Sequence, residues 1–182
     1  MTVVRTSGFS LIELMIGLSL GAILLLLAAP NYAIWTADAQ IRNATESIAT
    51  GMRFAHAEAI KRNAQVDFIL DPTTATGGWQ VDVVGVGQIN SGSFREAATR
   101  AQFITDPPTA TTVRFNGFGG IVDALAVPAP PLPILEQVDI IHFGTVAGTR
   151  PLKILVGGLR SGIKICDMAV TDTTSPRFCT PP

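Results

Sequence analysis

The fold of this chain is decided by residues 8–37, which read GFSLIELMIGLSLGAILLLLAAPNYAIWTA. From Leu14 onward this stretch carries no charged residue, and Glu13 is the only acid in it. As a helix, the twenty-one residues from Phe9 to Ala29 would be about 30 Å long, which matches the hydrocarbon core of a membrane. The stretch therefore predicts one membrane-spanning helix near the N-terminus.

The apolar bias of the chain is concentrated in that stretch. Of its 182 residues, 15% are charged and 47% are hydrophobic, whereas soluble domains usually have about a quarter charged residues. Such a hydrophobic content excludes a disordered chain, and the single apolar run excludes a polytopic membrane protein.

The net charge of −1 hides an uneven distribution along the chain. Residues 1–64 carry a net charge of +1, residues 65–140 carry −5 and residues 141–182 carry +3. The near-neutral total gives no overall attraction to nucleic acid. The C-terminal part is therefore the most basic region of the chain.

The two cysteines, Cys166 and Cys179, lie close together near the C-terminus. A tetrahedral zinc site needs four ligands, and both histidines, His56 and His142, are distant in sequence. In an oxidising compartment the pair would form a disulfide, which the loop-entropy model values at about 3 kcal/mol.

The N-terminus allows two interpretations. A secretory signal peptide would account for Arg5 and for a small-residue cleavage site near residues 27–29, but not for Glu13 inside the apolar run. The string GFSLIE from Gly8 to Glu13 resembles the prepilin motif of type IV pilins and type II secretion pseudopilins. Because glycine, phenylalanine, glutamate and the apolar run all occur in register, the chain is identified as a member of this family.

This resemblance implies how the chain is processed and divided. Prepilin peptidase would cut between Gly8 and Phe9 on the cytoplasmic side and N-methylate Phe9. Residues 1–8 would be a leader that is removed, residues 9–30 a retained transmembrane half-helix, and residues 31–182 a periplasmic domain made of a helix and a β-rich part.

Two residues of the apolar run are expected to act in assembly. Glu13 would pair with the cationic N-terminus of a neighbouring subunit and set its register, because an unpaired carboxylate in hydrocarbon costs several kcal/mol; alternatively it only reaches the membrane interface. Pro30 lacks an N–H and clashes with the carbonyl of Leu26. It is therefore expected to kink or locally melt the helix, or to mark its exit from the membrane.

Localisation and partners follow from the same resemblance. Arg5 precedes the span, so the positive-inside rule places the N-terminus in the cytoplasm and the rest in the periplasm, where the disulfide can form. A single-pass inner-membrane protein that later enters a pilus or a type II secretion pseudopilus is expected. Its partners would be prepilin peptidase, other pilins or pseudopilins and the inner-membrane assembly platform.

The helical pattern continues beyond the apolar run. One stripe recurs at helical spacing and predicts an amphipathic helix that ends near Asn63 and packs on a sheet. Residues 9–63 would then form one helix about 80 Å long. The stripe consists of Ile34, Ala37, Ile41, Ala44, Ile48, Gly51, Ala55 and Ala59.

A second resemblance lies at the end of this helix. Residues 54–63, FAHAEAIKRN, are similar to the A-R-S-E-A-I-K-R-N-like run of the branch that contains the minor pilins FimT and FimU and the minor pseudopilin GspH. His56 and Ala57 depart from that run. Lys61 and Arg62 would also suit any helix C-terminus, because cations interact favourably with its dipole, but this does not explain the whole string.

The remaining chain predicts an antiparallel sheet system. Short apolar runs are separated by Gly and Pro, with a hairpin turn at Asn116-Gly117 and an exposed loop at Pro128–Pro133. The fold class is α+β, with one long helix laid on one or two antiparallel sheets. Predicted strands are Gln65–Leu70, Trp79–Val84, Arg95–Ile104, Thr111–Phe115, Val138–Phe143, Leu152–Val156 and Ile163–Cys166.

No catalytic, cofactor or metal pattern emerges. Gly85-Val86-Gly87 resembles the start of a dinucleotide loop, but Asn90 stands in place of the third glycine. His56 and His142 have no further ligands at metal spacing, so both are expected to be structural or solvated. Asp67, Asp71 and Asp82 are expected to be solvated. We expect no enzymatic activity, no cofactor and no metal.

The basic C-terminal segment is a candidate nucleic-acid interface. Some members of the FimT branch bind DNA through a G-R-x-R-like motif just before a cysteine, and residues 158–166 read GLRSGIKIC here. Lys164 stands at the second basic position, Gly162 at the first, and Arg160 is near enough to compensate. Together with Arg150, Lys153 and Arg177, they would bind phosphates without sequence preference; alternatively these charges only discourage sheet aggregation.

Overall fold

One long helix organises the protein. In the computed structural model, helix α1 runs without a break from Leu11 to Arg62, close to the predicted range of residues 9–63. Pro30 lies inside this continuous helix. The alternative in which Pro30 locally melts the helix is therefore wrong. The structure describes residues 10–71, 77–94, 98–122, 133–142, 144, 147–157 and 162–179.

Two antiparallel sheets follow the helix, which confirms the α+β class. The first sheet has the order β3-β2-β1-β5-β6 and the second the order β4-β7-β8-β9, and α1 packs on both. The strands are β1 Val66–Asp71, β2 Gly78–Val83, β3 Gly87–Ser93, β4 Ala101–Asp106, β5 Thr112–Phe115, β6 Ile121–Val122, β7 Gln137–His142, β8 Leu152–Gly157 and β9 Gly162–Asp167.

The core lies between the second half of α1 and the inner faces of the sheets. The predicted stripe is buried from Ala37 to Ala59, while Ile34 is half-buried. Phe68 and Phe115 from the first sheet, and Ile140 and Ile154 from the second, are its fully buried partners.

Strand β3 is missing from the sequence-based prediction. It reads GQINSGS, has no apolar alternation, and yet pairs with β2 from Gly87 to Ser93, with one register shift between Val81 and Asp82. Gly92 makes this pairing possible, because a Cβ there would come within 2.5 Å of the Trp79 ring. The short strand β6 is also missing from the prediction, because two residues are too few to show an alternation of apolar and polar residues.

The other strands lie close to their predicted positions. The predicted strand Arg95–Ile104 is wrong over residues 98–100, which form a turn closed by the Ala101 N–H on the Ala98 carbonyl, and β4 begins only at Ala101. Residues 95–97 lie outside the described residues. Asn116-Gly117 opens the β5–β6 hairpin as predicted. Of the predicted loop Pro128–Pro133, all but Pro133 lies outside the described residues.

One of the acids that we expected to be solvated is part of an ion pair. Arg114 on β5 donates two hydrogen bonds to Asp67 on β1, at 2.6 and 2.7 Å, and both side chains are about 85% buried. The expectation for Asp67 is therefore wrong. It failed because the partner lies 47 residues away in sequence and comes opposite Asp67 only through the β1–β5 register.

Asp82 also differs from the expectation. One of its carboxylate oxygens is buried without a hydrogen-bond partner, and the other accepts a 3.4 Å hydrogen bond from the Gln80 amide. Asp71, at the end of β1, is exposed as expected.

Candidate assembly site and the basic C-terminal pocket

The first half of α1 presents an uncovered apolar surface. Between Leu11 and Leu27 its large apolar side chains are 54–79% exposed. This is the one helix of the described residues that is long and apolar enough to cross a membrane. A continuous apolar surface of this kind marks a contact with lipid or with other protein chains.

Polar groups in this half are few. The Ser19 hydroxyl donates to the carbonyl of Met15 at 2.6 Å, so its polar group is satisfied inside the helix. Glu13 lies in the first helical turn, is exposed, and takes part in no ion pair among the described residues. Its carboxylate is therefore available to a group from outside this part of the chain.

The predicted cleavage and methylation site lies at the start of the chain. Gly8 and Phe9 both lie outside the described residues. Helix α1 begins two residues after Phe9, with Ser10 at its N-cap.

The run that resembles the minor pilin branch has a clear structural role. Glu58 is buried and accepts hydrogen bonds from Lys61 at 2.9 Å and Arg62 at 2.6 Å. These bonds, first that of Arg62, lower the pKa of Glu58 below its usual value. Ala55 and Ala59 on the same face are fully buried against the sheets.

The last residue of that run ends the helix. Asn63 adopts the left-handed conformation with φ of 47°, and its N–H bonds the Ala59 and Ile60 carbonyls. The β5–β6 turn packs directly on this cap, since a Cβ at Gly117 would overlap Asn63. His56 lies beside the same turn, with its ring edge-on to Phe115 at 5.5 Å. His56 is thus structural, as expected.

The C-terminal segment is closed by the predicted disulfide. Cys166 at the end of β9 bonds Cys179, with their Cα atoms 5.2 Å apart. Inside the loop, Asp172 accepts hydrogen bonds from the backbone and hydroxyl of Thr174, which lower its pKa. The Asp167 N–H bonds the Arg177 carbonyl, so the loop folds back along β9.

The basic residues of this segment divide into two groups. The Lys164 ammonium donates to the Phe178 carbonyl at 3.0 Å, and Lys153 pairs with Asp139 at 3.2 Å, so both hold the fold together. Arg150 and Arg177 are exposed instead. Arg160 lies outside the described residues, so the proposed pairing with Lys164 stays a prediction.

The two exposed arginines line a cavity of about 460 Å³ together with Arg42 of α1. We call this cavity the arginine pocket. The sequence offers no motif for it, because Arg42 belongs to the helix and the other two to distant loops. The only local signal is the helical spacing of Asp38 and Arg42, which places both on the same side of α1.

No metal site is found in the described part of the chain, where no three His, Cys, Asp or Glu side chains form a group suited to an ion. His142 has a buried Nδ1 without a hydrogen-bond partner, and it too stands apart from other ligands.

Comparison with known proteins gives two family matches. The model of the type II transport protein GspH matches residues 44–131, and the model of the prokaryotic N-terminal methylation motif matches residues 4–29. No curated protein sequence matches the chain significantly.

Among solved structures, the chain is similar to the type IV minor pilin FimU of Pseudomonas aeruginosa in two crystal forms. The identities are 17% and 15%, and the TM-scores 0.48 and 0.46. The alignments cover 69% and 68% of this chain, and 87% and 90% of the FimU chains.

Proposed function

Because the chain belongs to the type IV pilin-like family, in its GspH and minor pilin branch, we propose that it is a filament subunit cleaved and N-methylated by prepilin peptidase. The family consists of structural subunits and not of enzymes. The subunit would enter a type IV pilus or a type II secretion pseudopilus as a minor component.

The observation that carries this proposal is the contrast between the two halves of α1. From Ala37 to Ala59 one face of the helix is buried against the sheets, whereas from Leu11 to Leu27 the large side chains are exposed all round. A rod of this kind needs lipid around its first half before assembly and neighbouring rods after it. The domain boundaries at residues 8, 30 and 63 belong to this proposal.

The carboxylate of Glu13 supports a role in assembly. It is the only charge in the uncovered half of the described helix, and it has no ion-pair partner there. A carboxylate inside the hydrocarbon core is stabilised by a cationic partner. The methylated amine of Phe9 on an adjacent subunit has the required positive charge. Such a pair would select one axial register over its neighbours.

The test follows single substitutions in the native host. Gly8→Leu is expected to leave the leader uncleaved, as seen by electrophoretic mobility and by the mass of the N-terminus. Glu13→Ala is expected to be cleaved normally and to be depleted from isolated filaments. Glu46→Ala removes an exposed acid of the same helix and serves as the control. Normal cleavage of the first variant, or normal incorporation of the second, would contradict the proposal.

The choice between pilus and secretion pseudopilus requires a phenotype. A deletion strain is compared with its complemented parent for surface pili, natural transformation and exoprotein secretion. Loss of pili with intact secretion would assign the subunit to a pilus, and the reverse would assign it to a secretion system. Intact performance in all three would contradict both.

DNA binding through Arg160 and Lys164 is the alternative function. Its support is the basic character of the C-terminal segment, but the Lys164 ammonium is hydrogen-bonded to the chain itself. A gel-shift comparison of the wild type with the Arg160→Ala/Lys164→Ala variant tests it. Equal shifts by both proteins would remove these residues from a DNA site.

A further inference from the structure

The arginine pocket lies where α1 meets β8, β9 and the disulfide-closed segment. Its polar lining consists of Asp38, Arg42, Arg150, Asp167 and Arg177. Three guanidinium groups thus share one cavity with two carboxylates.

The carboxylates of this pocket are already bound by backbone groups. Asp38 accepts a 2.8 Å hydrogen bond from the Arg150 N–H, and Asp167 accepts a 2.9 Å hydrogen bond from the Ala169 N–H. None of the ion pairs among the described residues includes Arg42 or Arg177. The guanidinium forks are therefore available to an external anion with several oxygen atoms, such as a phosphate.

The position of the pocket along α1 indicates which phosphate it meets. The twenty residues from Leu14 to Ala33 would fill a hydrocarbon core of about 30 Å. Tyr32 and Trp35 then lie at the membrane surface, where tyrosine and tryptophan are enriched. Their side chains are 66% and 65% exposed, and their ring centroids are 5.9 Å apart. Asp38 would lie about 8 Å beyond Ala33, close to the outer limit of the headgroup layer.

One geometric feature and one contact bring the pocket towards that layer. The Cα–Cβ bonds of a helix tilt towards its N-terminus, and at Arg42 this is the direction of the membrane. Gly148, in the connection between β7 and β8, lies beside Ile34, since a Cβ there would be 3.5 Å from Ile34 Cδ1. The loop that carries Arg150 therefore reaches the level of the helix where it leaves the bilayer.

We propose that the arginine pocket binds the phosphate headgroup of an anionic phospholipid in the periplasmic leaflet. This inference rests on the membrane insertion proposed above. Headgroup binding would hold the β-rich domain in one orientation on the membrane surface until the subunit is extracted into the filament. Extraction would then break these contacts and leave the arginines open to neighbouring subunits.

The experiment uses the full chain in nanodiscs of phosphatidylcholine, with and without phosphatidylglycerol. Amide hydrogen exchange is measured over residues 150–157 and 162–179. Phosphatidylglycerol is expected to slow exchange at these amides in the wild type. Each arginine near an anionic surface contributes about fivefold to binding, so Arg42→Gln/Arg177→Gln is expected to weaken headgroup binding about 25-fold and to lose most of this protection.

The matched control is Arg53→Gln/Arg100→Gln, which removes the same charge from exposed arginines outside the pocket. It is expected to keep the full effect of phosphatidylglycerol. Equal protection in both double variants, or equal protection in the two membranes, would overturn the proposal. Soluble glycerol phosphate and an oligodeoxynucleotide are added in parallel, and stronger protection by either one would also overturn it.

Recovery of the protein in the nanodisc fraction separates this inference from the proposed function. A chain that fails to enter nanodiscs of either composition would contradict the membrane anchor itself. A chain that enters both, but shows no headgroup effect, would contradict the lipid site alone. Equal amide exchange of wild type and variants over β1 in phosphatidylcholine nanodiscs shows that each variant is folded.

Discussion

Individual charged residues in this protein owe their roles to their partners. Asp67 and Arg114 are mostly buried and form a bidentate pair across β1 and β5. The hydrogen bonds that Arg114 donates to Asp67 are the main cause that raises the pKa of Arg114 above its usual value. If either side chain were removed, the charge of the remaining one would be buried without compensation, which costs free energy.

Asp67→Asn is expected to lower the free energy of unfolding by about 2 kcal/mol, because Arg114 keeps its charge and loses its counter-ion. Chemical unfolding of the detergent-solubilised protein, followed by Trp fluorescence, measures this change. Glu136→Gln removes an exposed acid and is the control, with an expected change near zero. Equal stability of both variants would show that the pair is not stabilising.

The hydrogen bonds of Glu58 predict that the stability of the protein depends on pH. The pKa of Glu58 is lowered in the folded state by Arg62 and Lys61, so its charged form contributes stability. That contribution is fully present above the unfolded pKa of about 4.3 and is lost as the pH falls through the folded value.

Glu58→Gln is therefore expected to be less stable than the wild type at neutral pH, and the difference is expected to shrink as the pH falls below about 4. Thermal unfolding across this pH range tests the sign. Glu46→Gln, a charge loss at an exposed position of the same helix, is the control. A difference that stays constant with pH would contradict the assigned role.

The contact between α1 and the first sheet depends on one small residue. Gly51 faces the Trp79 and Phe68 rings, and a Cβ there would lie 2.7 Å from Trp79 Cδ2 and 2.9 Å from Phe68 Cε2. The indole cannot easily move away, because its N–H donates to the Ser47 hydroxyl at 3.0 Å and the ring also packs against Gly92.

Gly51→Ala thus has two opposing effects on stability. Alanine is favoured over glycine in a helix by about 1 kcal/mol, whereas overpacking of a rigid core costs about 1–3 kcal/mol. We expect the second to dominate and the variant to unfold at lower denaturant concentration. Gly17→Ala, where a Cβ meets no atom within 4 Å, isolates the helical preference and is expected to cause no loss.

The disulfide stabilises the C-terminal segment that follows β9. Replacing both Cys166 and Cys179 by serine is expected to lower the free energy of unfolding by about 3 kcal/mol, because a loop closed across 13 residues is released in the unfolded chain. A reductant should lower the stability of the wild type by a similar amount and leave the double variant unchanged. A reductant effect in the double variant would point to another cause.

The whole molecule is a rod with a domain around one end. Its exposed large apolar side chains are concentrated between Leu11 and Leu27, and those outside α1, such as Val86 and Phe118, are scattered. The chain thus combines an exposed apolar helix surface with a domain whose own apolar core is buried.

A chain that begins at residue 34 is therefore expected to be monomeric in water without detergent and to keep its disulfide. The reason is that the removed part carries nearly all of the continuous apolar surface. Size-exclusion chromatography with light scattering measures this, with the full chain in detergent as reference. Aggregation of the truncated chain would show that α1 covers part of the domain through residues before 34.

Local patterns were sufficient for the features that depend on spacing along the chain. The range of α1, its buried stripe and the GFSLIE motif follow from periodicity and from residues that are neighbours in sequence. Most strands were also predictable, because their apolar alternation reflects one buried face. β3 was not, because its pairing with β2 depends on Gly92 fitting under Trp79 and not on apolar residues.

From its linear order alone, this chain specifies an apolar helix with one acid, a processing motif and a helix cap, since each depends on residues close in sequence. The pairing of Asp67 with Arg114 and the gathering of Arg42, Arg150 and Arg177 in one pocket depend instead on strand register and on loop packing. Charges far apart in sequence interact only after the sheets have brought their backbones together. For that reason, the GFSLIE motif was visible in the sequence, whereas the arginine pocket became visible only in the folded protein.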